Sequence, residues 1–190
     1  MTFEELAVTA ARRLSDMQIP YMLTGALAVN YYGKPRMTHD VDIVILITDR
    51  DAPQIMRLFG SDFFVQEESI KAALREVSMF NIIHEETGLK VDFWMRKNDD
   101  YSREAFSRRV CVDYGHTRIC LPSAEDTVIT KLDWYRMSDI EKHYSDAVGV
   151  ARTQAGKLDL MYIDNWCRRG MTLDIWERLK KDAGIQTSPD

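Results

Sequence analysis

Apolar and polar residues change their period several times along this chain, and each change marks an element. Phe3, Leu6, Ala10, Leu14 and Met17 recur at helical spacing. They follow Thr2-Phe3-Glu4-Glu5, a capping box in which the Thr2 hydroxyl and Glu5 carboxylate can satisfy free amides at a helix start. The pattern predicts a helix to about residue 18, stopped by Pro20. A short apolar run predicts a strand over 21–24, and the small residues of 25–32 a helix ended by Gly33. Asp40 and Asp42 then head an apolar run to Ile47, read as a second strand. Residues 49–59 read as a surface helix, 63–66 as extended and 69–75 as helical.

Hairpins follow. Residues 79–84 and 89–95 flank Glu85-Glu86-Thr87-Gly88, with glycine where a left-handed residue is wanted. Residues 110–113 and 117–121 flank Tyr114-Gly115-His116 in the same way, and 101–108 between the hairpins read as a helix. Beyond Pro122 the period becomes helical. Ser123-Ala124-Glu125-Asp126 is a second capping-box pattern, continued by Val128, Ile129, Leu132 and Tyr135. Segments 139–152, 158–167 and 173–181 complete a helical third, with fraying expected after Gly184. The fold class is therefore α/β (α+β): a mixed sheet flanked by helices over 1–121, with a helical bundle over 122–190.

Composition narrows the partners. A length of 190 residues suffices for a sizeable core, and 45% hydrophobic with 29% charged residues is ordinary for a globular protein. The net charge of -5 disfavours general nucleic-acid binding while leaving room for a local basic patch. Cys111, Cys120 and Cys167 form no C-x-x-C pair and read as reduced core residues of a cytosolic chain. Early Glu4 and Glu5 argue against a signal peptide, and no apolar run approaches the length of a membrane span. The expectation is a cytoplasmic protein without membrane partners.

The chemistry gathers over residues 23–47. Side chains two apart on a strand share a face, so Asp40 and Asp42 project together. Adjacent carboxylates repel, and a divalent cation relieves the repulsion. Upstream, Gly25-Ala26 sits between strand and helix, where backbone amides and the helix dipole can cradle a phosphate. Asp49-Arg50-Asp51 offers the same carboxylate spacing but reads as a solvated helix start. Asp92, between Val91 and Phe93, is the candidate third carboxylate, since an acid among apolar strand neighbours is costly without a partner. Its alternative is an edge-strand residue facing water. Phosphate with divalent metal points to phosphoryl or nucleotidyl transfer.

Gly25-Ala26, thirteen intervening residues, Asp40-Val41-Asp42 and then Asp92 resemble the nucleotidyltransferase fold of the DNA polymerase beta superfamily. More narrowly, Arg36-Met37-Thr38-His39-Asp40-Val41-Asp42 with the later Glu125-Asp126 and Lys131 is similar to minimal nucleotidyltransferases of the AbiEii toxin-like branch. The resemblance covers about residues 21–151. It implies two magnesium ions, with manganese as a substitute, on Asp40, Asp42 and Asp92, the last also helping to deprotonate an acceptor hydroxyl. Two-metal sites of this kind stabilise the attacking and leaving oxygens together. It further implies that Lys131 meets triphosphate oxygens and that Arg36 and Thr38 serve the nucleotide site. The alternatives are an exposed helix cation for Lys131 and a solvated loop charge for Arg36. The family carries Ser or Gly where this chain has Ala26, which leaves only a backbone amide and costs about 1 kcal/mol of nucleotide binding.

Other residues stay closer to plain structure. His39 points away from both aspartates, and His84, His116 and His143 lack zinc-ligand spacing. Asp146 is a cleft-facing or a solvated acid. The Arg12-Arg13, Arg108-Arg109 and Arg168-Arg169 pairs read as surface charge, and Trp134, Tyr135, Trp166 and Trp176 as core. The function implied is magnesium-dependent transfer of a nucleoside monophosphate from a nucleoside triphosphate such as ATP to an acceptor hydroxyl on an RNA end, a protein or a small molecule. A toxin-like member would have an antitoxin protein as partner. Rival readings are an inert nucleotide-binding module, favoured by Ala26, and a metal-dependent phosphohydrolase using the same carboxylates.

Overall fold

Strand alternation decides how the N-terminal part packs. The computed structural model describes residues 1–185. Its helices are α1 (Phe3–Asp16), α2 (Gly25–Tyr32), α3 (Ala52–Phe59), α4 (Glu67–Glu76), α5 (Asp100–Ser107), α6 (Ala124–Ser138), α7 (Glu141–Thr153), α8 (Leu160–Arg169) and α9 (Leu173–Ala183). Its strands are β1 (Tyr21–Leu23), β2 (Asp40–Ile45), β3 (Phe63–Phe64), β4 (Met79–His84), β5 (Lys90–Met95), β6 (Val110–Tyr114) and β7 (Thr117–Leu121). Two compact units result: residues 1–27 with 37–121, and residues 28–36 with the chain from 122 onward. The break at Leu121 and Pro122 falls where the period changes, while 28–36, the end of α2 and the loop after it, group with the helical unit.

In the first unit five strands form one mixed sheet in the order β1-β2-β5-β4-β3, and β6 and β7 form a separate ribbon. Only β2 and β5 run parallel; the other pairings of the five-stranded sheet are antiparallel. Val41, Ile43 and Ile45 alternate with Asp40, Asp42 and Val44, and the apolar set is fully buried. The parallel register matches that set to Val91, Phe93 and Met95, so one face of the sheet is core and the other carries the polar residues. Phe93 stacks on Phe80 of β4 at 4.9 Å between ring centroids and meets Phe59 of α3 at 5.6 Å. The amphipathic α1 buries Leu6, Ala10 and Leu14 and packs along β1, β2 and β7. Its start is the expected capping box, with Thr2 and Glu5 each accepting the other's backbone amide.

The helical unit packs α6 on α7 and α8, and α9 on α7 and α8. Its core holds Val128, Leu132, Val150, Ile163, Leu179 and the fully buried Trp176. Gly33 lets the chain leaving α2 lie directly on α7, since a Cβ there would stand 2.9 Å from the Val150 amide nitrogen.

Several expectations change. The helix foreseen from residue 49 opens as a 3-10 turn, Asp49–Asp51, because Asp51 accepts from the Thr48 amide and hydroxyl. At the second capping box Ser123 does cap the Asp126 amide, but the Asp126 carboxylate accepts from the Ser123 hydroxyl and from Tyr162. Cys111 and Cys120 are not reduced core residues: they face each other across β6 and β7, 3.9 Å apart at Cα, and form a disulfide. The spacing in sequence hid this, because a hairpin register rather than a short motif brings them together. That disulfide removes the cysteine argument for a cytosolic chain. Cys167 is the reduced, buried cysteine, its thiol pushed up to about 11 by burial. Trp166 and Tyr135 are half-buried, whereas Trp134 is exposed rather than core. The tail beyond residue 185 lies outside the described residues. Among the described residues no helix is long and apolar enough to cross a membrane.

Phe93→Ala tests this packing. Removing a fully buried ring from the strand that carries Asp92 should lower unfolding stability by about 3–5 kcal/mol in chemical denaturation, with the m-value unchanged.

Candidate functional site

The polar face of the sheet is assembled by register. Asp40 pairs with Lys90, Asp42 with Asp92 and Val44 with Trp94 across the parallel β2–β5 ladder. Residues 90, 92 and 94 thus share the face of 40, 42 and 44. Neighbouring strands lie about 4.8 Å apart, so Asp42 and Asp92 stand side by side and Asp40 lies one pleat away. The edge-strand alternative for Asp92 fails, because β5 lies between β2 and β4. Asp92 is only 6% exposed, whereas Asp40 and Asp42 are half-buried.

Each carboxylate has its own support. Thr38 donates to Asp40 Oδ1 at 3.1 Å. The Trp94 indole donates to Asp42 Oδ1 at 3.3 Å. Lys90 Nζ sits 3.0 Å from Asp92 Oδ2. The hydrogen bond to Asp92 raises the Lys90 ammonium above its ordinary value; burial opposes this, and the charges of Asp92, Asp40 and Asp42 reinforce it. Asp92 Oδ1 is buried without a hydrogen-bond partner among the described residues. A buried carboxylate oxygen left unpaired is costly, so this atom suits a ligand. All donors of the set are oxygens, the chemistry that hard divalent cations take. Among the described residues, no three His, Cys, Asp or Glu side chains converge tightly enough to ligate one ion as they stand.

Gly25 completes this face. Its φ of +60° is left-handed, and a Cβ there would lie 2.1 Å from Asp42 Oδ2. Glycine is required twice over, by the backbone and by the carboxylate packed against it. The turn is tied to β2 by the Thr24 amide, which donates to the Asp42 carbonyl at 2.8 Å. Ala26 follows, buried at the first turn of α2.

Lys131 and Arg36 belong to the helical unit, and neither is a solvated charge. Both are bonded to Asp146 of α7. Arg36 donates from Nε to Oδ1 and from its terminal nitrogen to Oδ2, each at 2.9 Å, and Lys131 Nζ meets Oδ2 at 2.9 Å. Lys131 and Asp146 are both 7% exposed. Asn30 fixes the Arg36 backbone at both its amide and its carbonyl. Burial alone would raise the Asp146 carboxyl; the Arg36 hydrogen bonds and the Lys131 charge outweigh it and hold the group below its ordinary range. Beside this network lies a cavity of about 340 Å³, lined by Lys34, Arg36, Asp146 and Arg152 among others.

Sequence reasoning missed Lys90 and Trp94. Their signal was available in the two-residue spacing either side of Asp92, which puts all three on one strand face. It also left Asp146 open, where the structure makes it the shared anion of two cations.

Gly25→Ala should cost at least about 1–2 kcal/mol for the left-handed backbone alone. It should also displace Asp42, visible as a changed Trp94 environment in near-ultraviolet circular dichroism. Asp146→Asn should lower stability at neutral pH by about 3 kcal/mol, because buried Lys131 loses its counter-charge. The Asp146 carboxyl titrates low when folded, so its contribution is full above about pH 4 and fades as pH falls through the folded value. Denaturation curves of wild type and variant should therefore converge in acid.

No protein-family model matches the chain, and no curated protein matches by sequence. Solved structures do. An antigenic nucleotidyltransferase-like protein from Paracoccidioides brasiliensis aligns over 98% of this chain and 94% of its own, with a TM-score of 0.62 at 16% identity. The ANT(2")-Ia structure in complex with adenylyl-2"-tobramycin aligns over 90% and 98%, with a TM-score of 0.53 at 10% identity. The lincosamide antibiotic adenylyltransferase LnuA, lincomycin-bound, aligns over 79% and 96%, with a TM-score of 0.52 at 14% identity. The mixed sheet and its helices have the nucleotidyltransferase fold.

Proposed function

We propose that this chain is a magnesium-dependent nucleotidyltransferase, moving a nucleoside monophosphate from a nucleoside triphosphate to an acceptor hydroxyl. The observation that carries the reading is the register of β2 and β5: it sets Asp92, with its unpaired buried oxygen, beside Asp42 on the face that Gly25 closes. The shared fold with nucleotidyl- and adenylyltransferases supports it.

Asp40, Asp42 and Asp92 would hold the magnesium ions. Bound there, magnesium supplies charge neutralisation to the triphosphate and polarises the reacting oxygens. The protein's share is positioning. Thr38 and Trp94 aim the oxygens of Asp40 and Asp42. Gly25 and Ala26 offer backbone at the start of α2, where the helix dipole favours an anion. Asp92 takes the proton of the acceptor hydroxyl. The acceptor oxygen bonds the α-phosphorus, and pyrophosphate leaves with the electron pair of the broken P–O bond. The resemblance assigns Lys131 and Arg36 to phosphate oxygens in this reading; both are bonded to Asp146.

The acceptor is an RNA end, a protein or a small molecule, and the AbiEii-like residues add a toxin-type role with an antitoxin partner to the proposal. Two of the similar structures carry small antibiotics or their adenylylated product, which makes a small-molecule acceptor the first to assay.

The test uses each of the four α-labelled triphosphates with magnesium, presented with aminoglycosides, lincosamides, RNA or whole-cell extract. Wild type should transfer label to one acceptor class, and Asp42→Asn should reduce transfer at least about a thousandfold, as expected for loss of a group acting on the transition state. Label released as monophosphate or as free inorganic phosphate with no labelled acceptor would point to hydrolysis. Nucleotide binding unaffected by magnesium and by Asp42→Asn would point to an inert module.

A further inference from the structure

The carboxylate face already holds a cation of its own. Lys90 lies opposite Asp40 in the β2–β5 register and two residues before Asp92 on the same strand face. Its ammonium stands 3.0 Å from Asp92 Oδ2 and within electrostatic reach of Asp40 and Asp42. The two partners differ in freedom. The Lys90 side chain is 38% exposed and sits on a flexible four-carbon stem, whereas that of Asp92 is 8% exposed. Lys90 can therefore leave for water without disturbing the core. Asp92 cannot follow, and without a cation it would be a buried charge facing its like at Asp42. Its second oxygen, Oδ1, has no partner among the described residues even with Lys90 in place. One oxygen of Asp92 is thus held and the other is free to bind.

We infer that Lys90 is a tethered counter-cation, paired with Asp92 and offsetting the charge of Asp40 and Asp42 in the metal-free protein, and yielding its place when a divalent ion binds. Lys90 is a positioning residue in this scheme: it acts through Asp92, the carboxylate to which it is bonded. The exchange keeps Asp92 paired at every stage. It also opposes metal binding, because the incoming ion must break the Lys90–Asp92 bond and approach a positive charge. The inference rests on the assignment of these carboxylates to a divalent metal.

Manganese alone, without nucleotide, is the probe. Its binding is followed by the electron paramagnetic resonance of free Mn2+ in wild type, Lys90→Met, Lys90→Arg and Asp42→Asn, with thermal melts recorded in its absence and presence. Lys90→Met should bind Mn2+ roughly tenfold more tightly, the counterpart of one partly exposed charge-assisted hydrogen bond. Lys90→Arg should stay close to wild type, and Asp42→Asn should lose binding. Metal-free Lys90→Met should melt below wild type, and Mn2+ should raise its Tm by more than it raises that of wild type. Unchanged or weaker Mn2+ binding in Lys90→Met, with Asp42→Asn still defective, overturns the counter-cation and leaves the metal site standing. A metal-free Lys90→Met that melts with wild type also overturns it. Mn2+ binding indifferent to Asp42→Asn removes the metal assignment itself, and the inference with it.

Discussion

Everything on the polar face depends on the pairing of β2 with β5. It is the one parallel pairing in the described sheet, and it sets Asp42 level with Asp92 and Asp40 level with Lys90. A slip of one residue would move Asp92 into the core and bring Val91 or Phe93 out beside Asp42. The apolar alternation prevents that slip. Val41, Ile43 and Ile45 lie buried against Val91, Phe93 and Met95, and a one-residue slip would turn one of these sets out of the core. The stability of the core and the geometry of the carboxylates are therefore one constraint, not two.

The two units handle charge differently. In the sheet unit, carboxylates outnumber the cation: Asp40, Asp42 and Asp92 share the face with Lys90, and one oxygen is left without a bond. In the helical unit, Arg36 and Lys131 both bind Asp146, and both of its oxygens are engaged.

Much of the carboxylate face was legible because strand alternation is a strong local signal. Asp40-Val41-Asp42 at the head of an apolar run, and Asp92 between Val91 and Phe93, declared both their strands and their faces. What was not legible depends on pairing between distant segments. Nothing local sets Lys90 opposite Asp40, joins Cys111 to Cys120, or brings Arg36 and Lys131 onto Asp146. The glycine at 25 was read as a place for an anion to approach. The anion found there is the protein's own Asp42, whose carboxylate occupies the volume a side chain at 25 would need.

The bond from the Trp94 indole to Asp42 Oδ1 has a practical meaning. Trp94 is the sole tryptophan of the sheet unit, the others lying at 134, 166 and 176. Its donor ends on Asp42 Oδ1, so a change at that carboxylate reaches the environment of this indole directly. Among the four tryptophans, it is the one placed to sense the state of this face.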